Sequence, residues 1–226
     1  MTIRAVAWDV DGTLVDSEPL HHYALLAACA KWGVDISDIP HDAFRGVHMH
    51  DVWRALAPRM PAAAREGDWV EANDDYYVKH RKRLVPMPRV IETVTALAKA
   101  GIAQICVSNA SRMIVDANID ALGLADVIEF SLSIDDVVHG KPDPEPYAAG
   151  CVRLGLPPHE VAAIEDSAPG RLSARAAGLL VIAYDHLNEQ VTDADLVIRD
   201  LARLPALLKA APLASIRPEL ARTGGA

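Results

Sequence analysis

Four helical segments, each closed by a glycine and each followed by a short apolar run, most tightly limit how this chain can fold. Val90–Ala100 closes on Gly101 and precedes the apolar run Ala103–Val107. Arg112–Leu122 closes on Gly123 before Val127–Ser131, Pro144–Leu154 closes on Gly155 before Val161–Ile164, and Pro169–Ala177 closes on Gly178 before Leu179–Ala183. Glycine at the end of a helical pattern supplies the left-handed cap that stops it. Runs of four or five apolar residues without alternation suit strands buried on both faces. Repetition of this unit predicts an α/β protein whose parallel sheet is covered by helices on both sides, a doubly wound arrangement. Ile3–Trp8 adds a strand at the start, and Leu196–Ile198 with the helix Asp200–Ala210 closes the series.

One stretch breaks the alternation. From Ser17 to Leu84 the pattern predicts helices only, at Glu18–Trp32, Asp42–Ala57 and Trp69–Arg83, the last two separated by Pro58–Gly67. Most of the aromatic residues fall here, among them Trp32, Phe44, Trp53, Trp69, Tyr76 and Tyr77, so the stretch is expected to carry a small core of its own. Pro86-Met87-Pro88 marks the return to strand–helix alternation. The expected division is therefore a strand–helix core at 1–16 and 85–211, a helical insertion at 17–84, and a loosely held tail at 212–226.

In an open parallel sheet, ligands bind beyond the carboxyl ends of the strands. The residues that follow each predicted strand are therefore the candidates for chemistry. After the first strand come Asp9 and Asp11, two carboxylates that repel unless a cation or a shared proton holds them. An ordinary Asp-Gly turn is the simpler explanation of that pair taken alone. Ser108 and Asn109 follow Val107, where a hydroxyl, an amide and helix N–H groups suit a phosphoryl oxygen; helix capping is the plainer role for Ser108. Glu165 and Asp166 follow Ile164 and bring two more carboxylates to the same edge. Oxygen ligands from Asp9, Asp166 and a backbone carbonyl suit Mg²⁺, which keeps waters and binds substrate phosphate. The absence of His and Cys from this set disfavours zinc. Lys141, in Gly140-Lys141-Pro142-Asp143-Pro144, is the cation such a site calls for.

Composition excludes several classes. The formal net charge of −9 argues against a nucleic-acid surface, which needs clustered Lys and Arg. No apolar run approaches the ~18 residues of a membrane span, and the start lacks a secretory pattern. Cys29, Cys106 and Cys151 are odd in number and widely spaced, with no metal or CxxC pattern. A cytoplasmic protein acting on a small molecule, with no nucleic-acid or membrane partner, is the expectation.

Asp9-Val10-Asp11-Gly12-Thr13-Leu14-Val15-Asp16-Ser17, Val107-Ser108-Asn109, Gly140-Lys141-Pro142-Asp143-Pro144 and Ile164-Glu165-Asp166-Ser167, in that order, resemble the four motifs of the haloacid dehalogenase-like hydrolase superfamily. Asp166–Gly170 and Ala176-Ala177-Gly178 extend the match, and Ser17-Glu18-Pro19-Leu20-His21 is similar to the subgroup of β-phosphoglucomutase, phosphoglycolate phosphatase and related sugar-phosphate phosphatases. The resemblance implies a Rossmann-like core and a helical cap over the site. It implies Asp9 as a nucleophile that forms an aspartyl-phosphate, and Asp11 as the acid that protonates the leaving oxygen and then activates water. Mg²⁺ would be held by Asp9, the main-chain carbonyl of Asp11 and Asp166, with Glu165 in support. Thr13, Ser108, Asn109 and Lys141 would bind the phosphoryl group, and Asp16 would order the turn.

The same resemblance separates subgroups. The dehalogenases have no need of Asp11 to protonate an alkoxide, so a phosphate enzyme is favoured. A β-phosphoglucomutase-like phosphomutase carries basic residues on both sides of a cap-loop glycine. Here Arg45-Gly46 supplies the first, but Met49 stands three residues beyond. A phosphatase of a small phosphorylated metabolite is therefore the reading, with the phosphomutase and a catalytically silent phospho-ligand-binding module as alternatives. Arg45, His48, His50 and His22 are the candidates for substrate selection. His48 and His50 with Asp51 also have the look of a metal cluster, a weaker reading than a substrate-facing loop. His21 is a candidate for a hinge or hydrogen-bonding role. A receiver domain also carries acids and a lysine on a doubly wound sheet, but it is far shorter and lacks the helical insertion.

Overall fold

The computed structural model describes residues 2–41, 43–44 and 47–210. The expected tail at 212–226 lies outside the described residues, as does Arg45. A six-stranded parallel sheet forms the centre, with strands β1 (Ala5–Trp8), β4 (Ala103–Val107), β5 (Phe130–Leu132), β6 (Val161–Glu165), β7 (Leu180–Tyr184) and β8 (Leu196–Ile198). Their order is β5-β4-β1-β6-β7-β8. β1 sits between β4 and β6, with Trp8 opposite Cys106 on one side and Ile164 on the other. The chain winds outward to one edge from β1 and then crosses to the other. That reversal makes the end of β1 the switch point at which such sheets bind ligands.

Alternate residues of the strands feed two apolar layers, as a period of two requires. Val6, Trp8, Cys106, Ala162 and Ile164 pack with Val94 and Leu97 of α4 (Val90–Lys99), Leu122 of α5 (Arg112–Leu122) and Leu204 and Leu208 of α8 (Leu204–Ala210). Ala5, Ala7, Ile105, Val107 and Ala163 face the other way, against Tyr147 and Cys151 of α6 (Glu145–Leu154) and Ala174 of α7 (Ala168–Ala176). Each fully buried Val, Leu or Ile side chain is worth roughly 1.5–3 kcal/mol, so two such layers hold the strand ends rigidly.

The stretch after β1 is helical, with α1 (Glu18–Ala30), α2 (Met49–Leu56) and α3 (Glu66–Lys79), and among the described residues it contains no strand between Ser17 and Leu84. Its own core gathers Leu25, Cys29, Ile36, Val52, Leu56 and Trp69, with Trp32, Phe44 and Trp53 against it. Tyr77 does not join them. It packs with Leu20, Ala24 and Ile114, with Tyr76 alongside, between the insertion and α5. A two-stranded antiparallel ribbon of β2 (Val15–Asp16) and β3 (Val85–Pro86) brackets the insertion, pairing Val15 with Pro86 and Asp16 with Val85. Strands of two residues leave no periodicity to read, so the sequence gives only the junction at Pro86.

Elsewhere the differences are small. β5 begins at Phe130 rather than Val127, because Val127 and Ile128 are used in a turn onto Leu124. Helix α2 begins at Met49, where His48 caps it, rather than at Asp42. The helix predicted from Asp200 is a 3-10 turn at Leu201–Arg203 that runs into α8. No helix among the described residues is long and apolar enough to cross a membrane.

Candidate active site

Asp9 follows β1 directly, and its N–H donates to the Ile164 carbonyl at 3.0 Å, an extension of the β1–β6 ladder. The chain then folds back on itself, with the N–H groups of Leu14 and Val15 both donating to the Val10 carbonyl. Gly12 takes a left-handed φ of +82°, and a Cβ there would stand 2.2 Å from Asp166 Oδ2. Glycine is thus required twice over, for the turn and for the approach of Asp166. Thr13 is buried and its hydroxyl lies 3.5 Å from Asp166 Oδ1.

Lys141 reaches in from the loop before α6. Its ammonium donates to Asp9 Oδ1 at 2.7 Å, Glu165 Oε1 at 2.5 Å and the Val107 carbonyl at 2.8 Å, which uses all three N–H groups. Burial opposes its charge, but Asp9 and Glu165 outweigh burial and hold it protonated. Asn109 braces this loop from both sides, accepting from Lys141 N at 2.8 Å and donating to Lys141 O at 2.9 Å. Glu165 is fully buried and also accepts from Tyr147 Oη at 2.5 Å and Ser167 Oγ at 3.1 Å. A Cβ at position 170 would fall 1.9 Å from Glu165 Oε2, so Gly170 makes room for that carboxylate.

Asp9, Glu165 and Asp166 offer carboxylate oxygens within 4.8 Å of one another. Burial and then the Glu165 charge push the Asp9 carboxyl well above the usual range, against the pull of Lys141. Asp9 Oδ2 is buried and has no hydrogen-bond partner. Three carboxylates against one ammonium, with an oxygen left unpaired, form a set of hard donors that suits an added divalent cation. The residues present therefore fit Mg²⁺. Asp166 is set by Arg171, which donates to its main-chain oxygen at 2.6 Å, and His186 Nε2 stands 3.8 Å from its Oδ2.

Asp11 faces the insertion. Its Oδ2 accepts from Ser108 Oγ at 3.2 Å, while Oδ1 lies 3.3 Å from His21 Nε2 and accepts from Asn118 Nδ2 at 3.2 Å. Burial would raise its pKa, yet the His21 contact and charge bring it below the ordinary carboxylate value. Burial would likewise lower His21, and Asp11 reverses the sign. Ser108 does not cap α5; Ser111 does, accepting from Ile114 N at 3.4 Å.

The structure thus brings together Asp9, Asp11, Thr13, Ser108, Lys141, Glu165 and Asp166, with Asn109 behind Lys141. The described candidates for substrate selection, His22, His48 and His50, stand apart from these contacts. His48 caps α2 through its side chain, and exposed His50 pairs with Glu66 at 2.7 Å. His22 lies against Tyr23 and His41. His48, His50 and Asp51 do not form one of the groups with metal-holding geometry among the described residues. Sequence reading missed Tyr147, Asn118 and Tyr77. A polar residue on the buried stripe of a helix was the available signal for Asn118; Tyr147 and Tyr77 gave none, since an aromatic residue at a core position reads as core.

A model of the haloacid dehalogenase-like hydrolases matches residues 3–178. Hexitol phosphatase A of Escherichia coli (strain K12) is 28% identical over 90% of this chain and 94% of its own. The phosphoglycolate phosphatase of Chromobacterium violaceum is 28% identical over 92% of this chain and 97% of its own. Among solved structures, CbbY from Rhodobacter sphaeroides in complex with phosphate superposes with a TM-score of 0.81 at 26% identity, covering 90% of this chain and 96% of that one.

Proposed function

The chain belongs to the haloacid dehalogenase-like hydrolases and is a phosphatase of small phosphorylated metabolites, and from that premise we propose that it is Mg²⁺-dependent and works through a phosphorylated Asp9. The observation that carries the proposal is the state of Asp9: one oxygen on Lys141, the other buried without a partner beside Glu165 and Asp166. Asp9, Asp166 and the main-chain carbonyl of Asp11 would hold Mg²⁺, with Glu165 behind them. Bound there, the ion offsets the carboxylates and the phosphate charge, which keeps Asp9 ionised.

The chain's own residues supply the rest. The Asp9 carboxylate attacks phosphorus, the P–O bond to the leaving group breaks, and that oxygen takes a proton from Asp11, which, held below its ordinary pKa, would receive it from His21, the imidazole whose hold on a proton Asp11 strengthens. In the second half Asp11 takes a proton from water, the water oxygen attacks phosphorus, and the Asp9–phosphate bond breaks to free phosphate. Covalent catalysis of this kind replaces one hard displacement by two easier ones, and acid–base help adds about 10²–10⁴-fold. Ser108 and Thr13 would donate to phosphoryl oxygens, each by turning its single O–H away from the carboxylate it meets here, Asp11 and Asp166 respectively. Lys141, whose donors are already engaged, would act chiefly through its charge, positioning and charge being what phosphoryl transfer needs most. Residues 17–84 would serve as a cap over the leaving group, with Arg45, His22, His48 and His50 as selectors.

The test is phosphate release from p-nitrophenyl phosphate and from a panel of phosphorylated metabolites, with Mg²⁺ and with EDTA. We expect turnover only with the metal. β-Glucose 1-phosphate with a trace of its bisphosphate belongs in the panel, because isomerisation without phosphate release would mark a phosphomutase. Turnover that persists in EDTA would overturn the metal dependence, and inactivity on the whole panel would favour a silent binding module.

A further inference from the structure

Asn118 lies in the middle of α5, on the stripe that also buries Ile114, Val115 and Leu122. A buried amide without partners costs about 1–3 kcal/mol, so its place there needs a reason. Both its ends are engaged. Oδ1 accepts from Tyr77 Oη at 2.8 Å, and Nδ2 donates to Asp11 Oδ1 at 3.2 Å. The direction of this chain is fixed chemically, since a carboxylate can only accept and the amide must turn its nitrogen towards it. The Tyr77 hydroxyl must then be the donor. Burial and then the Asp11 charge push that phenol well up, so it keeps its proton.

Tyr77 serves Asp11 by a second route. Its ring lies 4.6 Å, centroid to centroid, from the His21 imidazole, and His21 Nε2 is the other group at Asp11 Oδ1. Both contacts to that oxygen therefore lean on one side chain of α3. Ser108 holds Oδ2.

We propose that Asn118 and Tyr77 are positioning residues that aim the Asp11 carboxylate, and that through them helix α3 of the insertion sets the alignment of the acid–base group. The proposal rests on Asp11 having that role. Misplacement of a catalytic group by about 1 Å can cost 10²-fold, so a tie of this kind is large enough to measure.

The experiment compares kcat/KM for p-nitrophenyl phosphate and phenyl phosphate in the full chain with Mg²⁺, for Asn118→Leu, Tyr77→Phe, the double variant and Asp11→Asn, with urea unfolding of each. kcat/KM covers steps up to departure of the leaving group. A nitrophenolate leaves without a proton, whereas phenolate gains from one. We expect Asn118→Leu to lower kcat/KM for phenyl phosphate about 10- to 100-fold and for p-nitrophenyl phosphate at least about threefold less, the loss lying in kcat with KM nearly unchanged. Tyr77→Phe keeps the ring and removes one oxygen, so it remains readable if Asn118→Leu fails to fold; a loss of about 3- to 10-fold in the same direction is expected. The double variant should be no worse than Asn118→Leu, because one path carries both. Equal losses on the two esters, losses that follow the folded fraction, or unchanged kinetics would overturn the proposal. Asp11→Asn separates the two levels: if it turns over both esters normally, the acid–base assignment fails, whereas a crippled Asp11→Asn beside normal Asn118 and Tyr77 variants rejects the positioning alone.

Discussion

The Lys141 side chain at the sheet edge is 4% exposed and pairs with Glu165, itself 0% exposed; the His50 side chain on α2 is 56% exposed and pairs with Glu66 at 36%. Both are ion pairs on paper, yet they sit in different dielectric surroundings. Removing one partner of a buried pair leaves a charge with neither water nor counter-ion, at a cost of about 3–5 kcal/mol. An exposed pair is worth about 0–1 kcal/mol and is easily replaced. The machinery at the end of β1 is therefore locked by its own electrostatics, while the outer loop of the insertion can change with little effect on the fold.

The strongest challenge to that contrast is Asp9→Asn. The carboxamide keeps the volume but removes the proposed nucleophile, and turnover should fall by roughly 10⁴-fold or more, as removal of a nucleophile does elsewhere. Turnover within about tenfold of the parent would sink the covalent mechanism. Lys141→Met comes next. It strands Asp9 and Glu165 without their cation, so we expect loss of activity together with a fall of about 3–5 kcal/mol in unfolding free energy by denaturant titration. Mg²⁺ would offset part of that fall, since it can supply the missing charge. A stability change below about 1 kcal/mol without Mg²⁺ would mean that the pair is not buried as described. Gly170→Ala is a subtler probe. The new methyl cannot coexist with Glu165 Oε2 at 1.9 Å, so the carboxylate must move. Overpacking of this sort costs about 1–3 kcal/mol, and activity should drop with it because Glu165 shares Lys141 with Asp9.

How much of this was legible in the sequence follows the same division. β4, α5 and β8 lie where the apolar pattern and glycine caps place them, and every residue that follows β1, β4 and β6 arrives at one edge because parallel topology puts it there. What could not be read are contacts between elements far apart in the chain. Tyr77 and Asn118 are 41 residues apart, and Tyr147 and Glu165 are 18 apart. Each aromatic residue sits at a position where plain packing would explain it. Only the third dimension shows that a hydroxyl is aimed at a partner. The β2–β3 ribbon escaped for another reason, since two residues per strand are too few to show a period.

The smallest effect is expected where the insertion is most exposed. His48→Ala with His50→Ala removes a cap contact and a surface pair, so unfolding free energy should fall by no more than about 1 kcal/mol. kcat/KM for p-nitrophenyl phosphate should stay within about twofold of the parent, because neither imidazole touches Asp9, Asp11 or Lys141. If the loop screens leaving groups on closure, the ratio of kcat/KM between a hexitol phosphate and phosphoglycolate should shift by about 3- to 10-fold, the size of one modest polar contact. An unchanged ratio would move selection away from this loop to the face of α1 and α3 where His21 stands 3.3 Å from Asp11 and Tyr77 packs on His21. The contrast between a locked edge and a variable insertion would then narrow to a contrast between two faces of the same helices.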